Sequence, residues 1–156
     1  MAQNPERYLD DLVIGETWDG EPFEITEADI VEFGEKYDPQ PFHTDAAAAA
    51  STPFGGLIAS GWHLNALIMR EFVHAKPYGD TPILGMGVDE LRWLHPVRPG
   101  DRLRIQAQIV EVKRSSSRPD RGMVRTAISA TNQDGIPVIR LQTLTQMPAR
   151  PAATGG

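Results

Sequence analysis

The sequence predicts an α+β fold in which an antiparallel β-sheet wraps around one long central helix. Three observations carry this expectation. The second half of the chain reads as successive strands, with LRIQAQIVEV (residues 103–112) alternating cleanly between apolar and polar positions. One long segment, from about Gly56–Ser60 to about His74, is apolar around most of a helical circumference, so something must cover it on nearly all sides. Ahead of it stands a second, well-capped helix.

The elements follow in order. An early strand is expected near Thr17–Phe23. Thr26 is a good N-cap with Asp29 three residues on, and Ile25 and Ile30 sit at the positions of a hydrophobic staple. This helix runs through Val31, Phe33 and Lys36 and stops before Asp38, which precedes a proline. The long helix contributes Leu57, Ile58, Trp62, Leu64, Leu67, Ile68, Met69, Phe72 and Val73 to its apolar surface. TPILGMGVDELRWLHPV is a bent strand in which Gly85 and Gly87 permit a bulge. VRPGD is a turn, and SSSRPDRG is a longer hairpin connection. MVRTAISATNQ and PVIRLQTLTQM are strands joined by the hairpin turn Asp134-Gly135.

The chain has 156 residues, 40% of them hydrophobic, which suits a single domain over residues 1–148; residues 149–156 are expected to be a disordered tail. With no cysteine there is no disulfide, no thiolate nucleophile and no cysteine-bound metal. The N-terminus has no signal-peptide pattern, and no apolar run reaches the length of a membrane span, so a cytoplasmic protein is expected. A net charge of −6 argues against general nucleic-acid binding. The charge is unevenly placed. Residues 1–50 hold 13 acids and two bases, whereas residues 92–125 hold nine bases and three acids. Most of these charges are solvated strand faces, but the basic stretch can serve an anionic ligand.

The stretch YDPQPFHTD carries the first chemical signal. On a helix, residues five apart point about 140° from each other. Pro39 and Pro41 forbid a helix across Asp38–His43, and a rigid turning loop is expected to bring the two side chains together. A neutral imidazole and a carboxylate at one point can activate water, and the carboxylate can shuttle the proton if burial raises its pKa. The second signal is FGGLIASGWH, a glycine-rich approach to the long helix. The first N–H groups of a helix are unpaired and can hold a carbonyl oxygen that becomes an oxyanion. The same glycines also serve a tight turn and close helix–sheet packing.

Together these stretches, Asp38-Pro39-Gln40-Pro41-Phe42-His43 and then AAAAASTPFGGLIASGWH, resemble the MaoC-like dehydratase family, hot-dog-fold relatives of (R)-specific enoyl-CoA hydratases. The resemblance extends through LRWLHPVRPGDRLRIQAQIVEV and covers most of residues 12–147. It implies a hot-dog fold, a catalytic dyad of Asp38 and His43, and Gly61 as the residue whose N–H meets the thioester oxygen. It implies reversible addition of water to a trans-2-enoyl-CoA with no metal or other cofactor, the CoA thioester being the substrate. It also implies a dimer with the acyl-CoA near its interface. Gln40 stands where the family signature has asparagine and Phe42 where it has leucine, while Met69 stands where hydratases can carry a small polar residue.

Phe42, Phe54, Ser60 and Trp62 are the candidate substrate-binding residues, and Trp93 is read as core or tunnel lining. His63, His74 and His95 are spaced unlike metal ligands. The open edges of a wrapped sheet predict a homodimer or a dimer of dimers. Two alternatives remain: a hot-dog acyl-CoA thioesterase, whose acid would have to be Glu71, and a non-catalytic acyl-CoA-binding protein.

Overall fold

The computed structural model describes residues 5–153. In chain order the elements are a 3-10 turn (Leu9–Asp11), β1 (Thr17–Asp19), β2 (Phe23–Glu24), α1 (Glu27–Tyr37), α2 (Pro41–Thr44), α3 (Ala46–Ala50), α4 (Gly61–Ala75), β3 (Leu84–Trp93), β4 (Arg102–Arg114), β5 (Arg121–Thr131) and β6 (Pro137–Pro148). The six strands form one antiparallel sheet in the order β1-β4-β5-β6-β3, with β2 also paired to β4. This is the hot-dog arrangement of helix against sheet.

The core lies between α4 and the inward rows of the sheet. Leu64, Ile68 and Phe72 of α4 belong to one buried cluster with Leu103, Ile105 and Ile109 of β4, Val124 and Ile128 of β5, and Leu141 and Met147 of β6. The period-2 pattern of β4 is the observed burial pattern, because every second side chain of a strand points to the helix. The β5–β6 hairpin turns at Gly135, whose φ of 75° is the left-handed region glycine enters without steric cost.

α1 starts and stops as its sequence signals predict. The Thr26 side chain accepts from the Asp29 N–H, Ile25 and Ile30 are both buried, and Asp38 is the C-cap.

Four expectations are corrected. The early strand is two pieces, β1 and β2, because Pro22 has no N–H to continue the ladder and the chain leaves the sheet between them. The long helix begins at Gly61, not at 56–60. Ser60 caps it, and residues 57–59 run extended, with the Ile58 N–H on the Phe42 carbonyl and the Ala59 N–H on the Val97 carbonyl. The helix is also not covered all round. Trp62, Met69 and Val73 lie on one stripe and are each more than half exposed. Finally, the expected tail is tethered at its start: Ala149 is buried and the Arg150 N–H donates to Asp10. Residues 154–156 of that tail lie outside the described residues.

β3 is an edge strand, and Leu91 is its least exposed residue. The bulge expected at the glycines falls between Gly85 and Gly87, and a second one lies between Asp89 and Arg92, where Glu90 takes a φ of 53°. No described helix is long and apolar enough to cross a membrane.

Candidate active site

Asp38 and His43 are brought together by the end of one helix and the start of another. Asp38 caps the C-terminus of α1. Pro41 then occupies the first position of α2, where its missing N–H costs nothing and its fixed φ suits a helix. The loop expected through His43 is therefore only three residues long, and His43 rides on the single turn of α2. Gly34 lets this turn pack on α1. A Cβ there would stand 2.8 Å from the His43 carbonyl oxygen.

His43 is buried, and its Nδ1 lies 2.7 Å from the Ile58 carbonyl oxygen. A carbonyl only accepts, so Nδ1 carries the proton; when the ring is neutral, its lone pair is at Nε2. That nitrogen is 3.3 Å from Asp38 Oδ2. With the ring neutral both atoms are acceptors, and a water can reach both only from beside the pair, not between them. A pair so placed can pass a proton, and the backbone of residue 58 holds the Nδ1 proton in place.

The carboxylate is held from both sides. Gln40 Nε2 donates to Asp38 Oδ1 at 2.8 Å, and Ser60 Oγ donates to Asp38 Oδ2 at 2.7 Å. Partial burial pushes the Asp38 carboxyl up, but the Gln40 and Ser60 hydrogen bonds and the nearby His43 outweigh it, leaving the pKa below the usual carboxylate range. The expectation of a carboxyl raised by burial is reversed. Asp38 stays ionised and acts as an acceptor. Gln40, in the place of the signature's asparagine, is one of its positioning residues.

A cavity of about 240 Å³ joins His43 to the N-terminus of α4, with Ile58, Gly61, Leu64, Trp93 and His95 on its lining. Gly61 is the first helical residue, so its N–H has no partner within α4. A larger cavity of about 560 Å³ lies on the outer face of the sheet between Thr17, Gln106, Ser129 and Arg140. It contains none of the candidate residues; the smaller one joins His43, the partner of Asp38, to a helix N-terminus and is the candidate site.

None of the four residues expected to bind substrate is part of this cavity's wall. Phe42 packs edge-on against the His43 ring with centroids 4.5 Å apart, and Phe54 packs on Phe42 at 5.3 Å. Trp62 points outward and meets Trp93. Ser60 is 1% exposed, because its hydroxyl both accepts from the Trp62 N–H and donates to Asp38, so it positions the dyad and cannot reach a ligand. Gln40 and the Ile58 carbonyl hydrogen-bond to the pair, contacts that sequence reasoning missed. A glutamine two residues from the aspartate was the available signal for the first; a backbone carbonyl leaves none.

The acid that a thioesterase would need is remote from this cavity. Glu71 lies near the other end of α4 and is ion-paired with Arg70 at 2.7 Å. Among the described residues, no group of three or more side chains is placed to hold a metal ion.

Residues 11–132 match the family described as MaoC like domain. The chain belongs to the MaoC-like family. It is 39% identical to the MaoC-like dehydratase from Rhodospirillum rubrum, with a TM-score of 0.83, over 92% of this chain and 98% of that one. It is 26% identical to the R-hydratase PhaJ1 from Pseudomonas aeruginosa, with a TM-score of 0.72, over 97% and 95% of the two chains. It is also 28% identical to YdeM, an uncharacterized protein of Bacillus subtilis (strain 168), over 83% of this chain and 91% of that protein. In a MaoC-like chain, the Asp38–His43 corner beside the central helix is where hydratase or dehydratase chemistry is to be sought.

Proposed function

We propose that this MaoC-like chain is a hydro-lyase that adds water reversibly to a trans-2-enoyl-CoA. One observation carries the reading: His43 Nε2 and Asp38 Oδ2 stand 3.3 Å apart as paired acceptors, beside a cavity that also exposes the first residue of α4. A water hydrogen-bonded to both acceptors from the cavity side gives its hydroxyl to the β-carbon. The proton it loses passes through His43 Nε2 to the α-carbon, so the bound water is divided across the double bond. The thioester oxygen gains charge as this happens and is held by the Gly61 N–H at the helix N-terminus. The reverse reaction dehydrates a 3-hydroxyacyl-CoA. No metal or organic cofactor enters these steps.

The same reading includes a cytoplasmic homodimer. β3 has an unpaired edge, and beside it Trp62, Met69 and Val73 of α4 leave an apolar stripe open. A second copy covers both. For the CoA phosphates, the ion pairs within the basic stretch support one arginine over three others. Arg114, Arg121 and Arg125 are engaged by Asp10, Asp120 and Asp89. Arg98 instead donates to the Phe54 carbonyl, next to Gly56 on the approach to α4, and is the arginine best placed for a phosphate.

Crotonyl-CoA tests the reading. Wild type is expected to bleach the enoyl absorbance as 3-hydroxybutyryl-CoA forms. Release of free CoA without loss of the enoyl group would identify a thioesterase, and binding with neither change a non-catalytic acyl-CoA-binding protein.

A further inference from the structure

Trp93 is held against the candidate site by three residues of α4. Its ring lies so close over Gly61 that a Cβ on that glycine would stand 2.3 Å from Cε2 and 2.5 Å from Cδ2. Its Nε1–H donates to Asn65 Oδ1 at 3.1 Å, one turn further along the helix. Trp62 packs edge-on against it, with centroids 5.3 Å apart and planes at 77°. Leu64 and Leu94 continue the same cavity wall. The glycine at position 61 is thus required by the indole as well as by any ligand. Every residue larger than glycine would drive Trp93 off the helix.

We infer that Trp93 sets the acyl-chain length of the substrate, so that the site takes short-chain trans-2-enoyl thioesters and turns long ones away. The inference rests on the hydratase reading of the same cavity. With the thioester oxygen on the Gly61 N–H and water at His43, the reacting carbons lie between residues 43 and 61. The Trp93 ring occupies the space directly over residue 61. An acyl chain running on from the β-carbon along α4 meets that ring. To pass, it must lift the indole from Gly61 and break the bond to Asn65. The cavity agrees in size: about 240 Å³, below the roughly 300–1,000 Å³ of pockets that enclose larger ligands. Trp93 is 48% exposed in the single chain, on the face a second copy would cover, so its truncation removes a wall without entering the core, and the variant's mass is read alongside.

The test uses Trp93→Ala, Trp93→Phe and Asn65→Leu with two readouts. The first is kcat/KM for hydration of crotonyl-, hexenoyl-, octenoyl- and dodecenoyl-CoA. The second is calorimetric binding of the matching saturated acyl-CoAs, which undergo no hydration. Light scattering and melting temperature establish that each variant keeps the wild-type mass and fold. Wild type is expected to favour the shortest chain in both readouts. Trp93→Ala is expected to raise the octenoyl-to-crotonyl ratio by about 10-fold or more, the scale of discrimination that a few methylenes give in an apolar pocket. Trp93→Phe, which keeps most of the bulk, shifts it less. Asn65→Leu releases the indole and shifts the ratio in the same direction without changing the cavity wall. An unchanged ratio in both readouts for Trp93→Ala, while crotonyl-CoA is still hydrated, overturns the inference and leaves the hydratase reading intact. If wild type hydrates nothing but Trp93→Ala gains octanoyl- over butyryl-CoA binding, the reading fails and the length limit stands. Should Trp93→Ala not fold, an unchanged ratio in both Trp93→Phe and Asn65→Leu overturns the inference. No binding of any acyl-CoA by wild type or variants overturns both.

Discussion

At the Asp38–His43 corner, both carboxylate oxygens and the His43 Nδ1 have partners within the chain. On the adjoining face of α4 and β3, Trp62, Met69, Val73, Leu84, Met86 and Val88 are each half exposed or more. The two regions meet at Trp93, yet they are completed by different means. Hydrogen bonds are short-ranged and directional, so the polar corner is organised by segments of the same chain packed against one another. Apolar surface only needs cover, and the α4–β3 face presents an edge strand and a helical stripe that this chain does not cover itself. The comparison separates two kinds of failure: one should cost chemistry and leave assembly intact, and the other the reverse.

The largest effect is expected at the corner. Asp38→Asn and His43→Gln should each lower kcat for enoyl-CoA hydration by about 10²–10⁴-fold, the usual worth of a positioned acid–base group. The double variant should be hardly worse than either single one, because the two groups hold one water and act as a unit. All three should keep the wild-type mass. If the activity of each variant simply tracks its folded fraction in thermal melts, the pair is structural.

On the other face, Met86→Lys combined with Val88→Glu should abolish assembly. Wild type is expected to scatter light as at least twice 17.2 kDa and the variant as a monomer. The Asp38–His43 geometry lies within one protomer, so the monomeric variant should keep its hydration of crotonyl-CoA. A wild-type monomer at micromolar concentration would remove this half of the comparison.

The smallest effect concerns the two buried histidines. His43 has a carbonyl on Nδ1, whereas His63 is 6% exposed, stacks on Phe33 with centroids 4.7 Å apart, and leaves its Nδ1 without a partner. Burial lowers the His63 pKa, Arg70 adding to the fall and Asp29 opposing it. The sign follows from linkage. Above the unfolded value of about 6.5 neither state is protonated and stability is whole. As the pH falls below that value the unfolded chain takes up a proton that the folded chain refuses, so stability is lost down to the lower folded pKa. Urea melts between neutral pH and pH about 5 should show this loss, and His63→Phe should flatten it. An equal slope in the variant would assign the acid sensitivity to another group.

Much of the fold could be read from local rules. Thr26, Ile25 and Ile30 mark the start of α1, the Asp-Pro step marks its end, and the period-2 pattern of β4 and the Asp134-Gly135 turn mark the hairpins. The Asp38–His43 pair was legible for the same reason, since two prolines limit what five residues can do. The groups that complete it were not. Ser60 is 22 residues from Asp38, Ile58 is 15 from His43, and both lie in an extended segment that apolar content made look like the first turn of α4. Periodicity counts apolar residues without regard to whether a helix or an extended strand presents them. The exposure of α4 marks the same limit from another side. Its residues are apolar around most of the helix, and a sequence carries that pattern identically whether the cover is the chain's own sheet or another molecule. Backbone caps, turns and strand periods depend on neighbours a few residues away, so the sequence settles them. Which carbonyl orients an imidazole, and which apolar stripe is left open, depend on where distant segments come to rest, and only the folded structure resolves them.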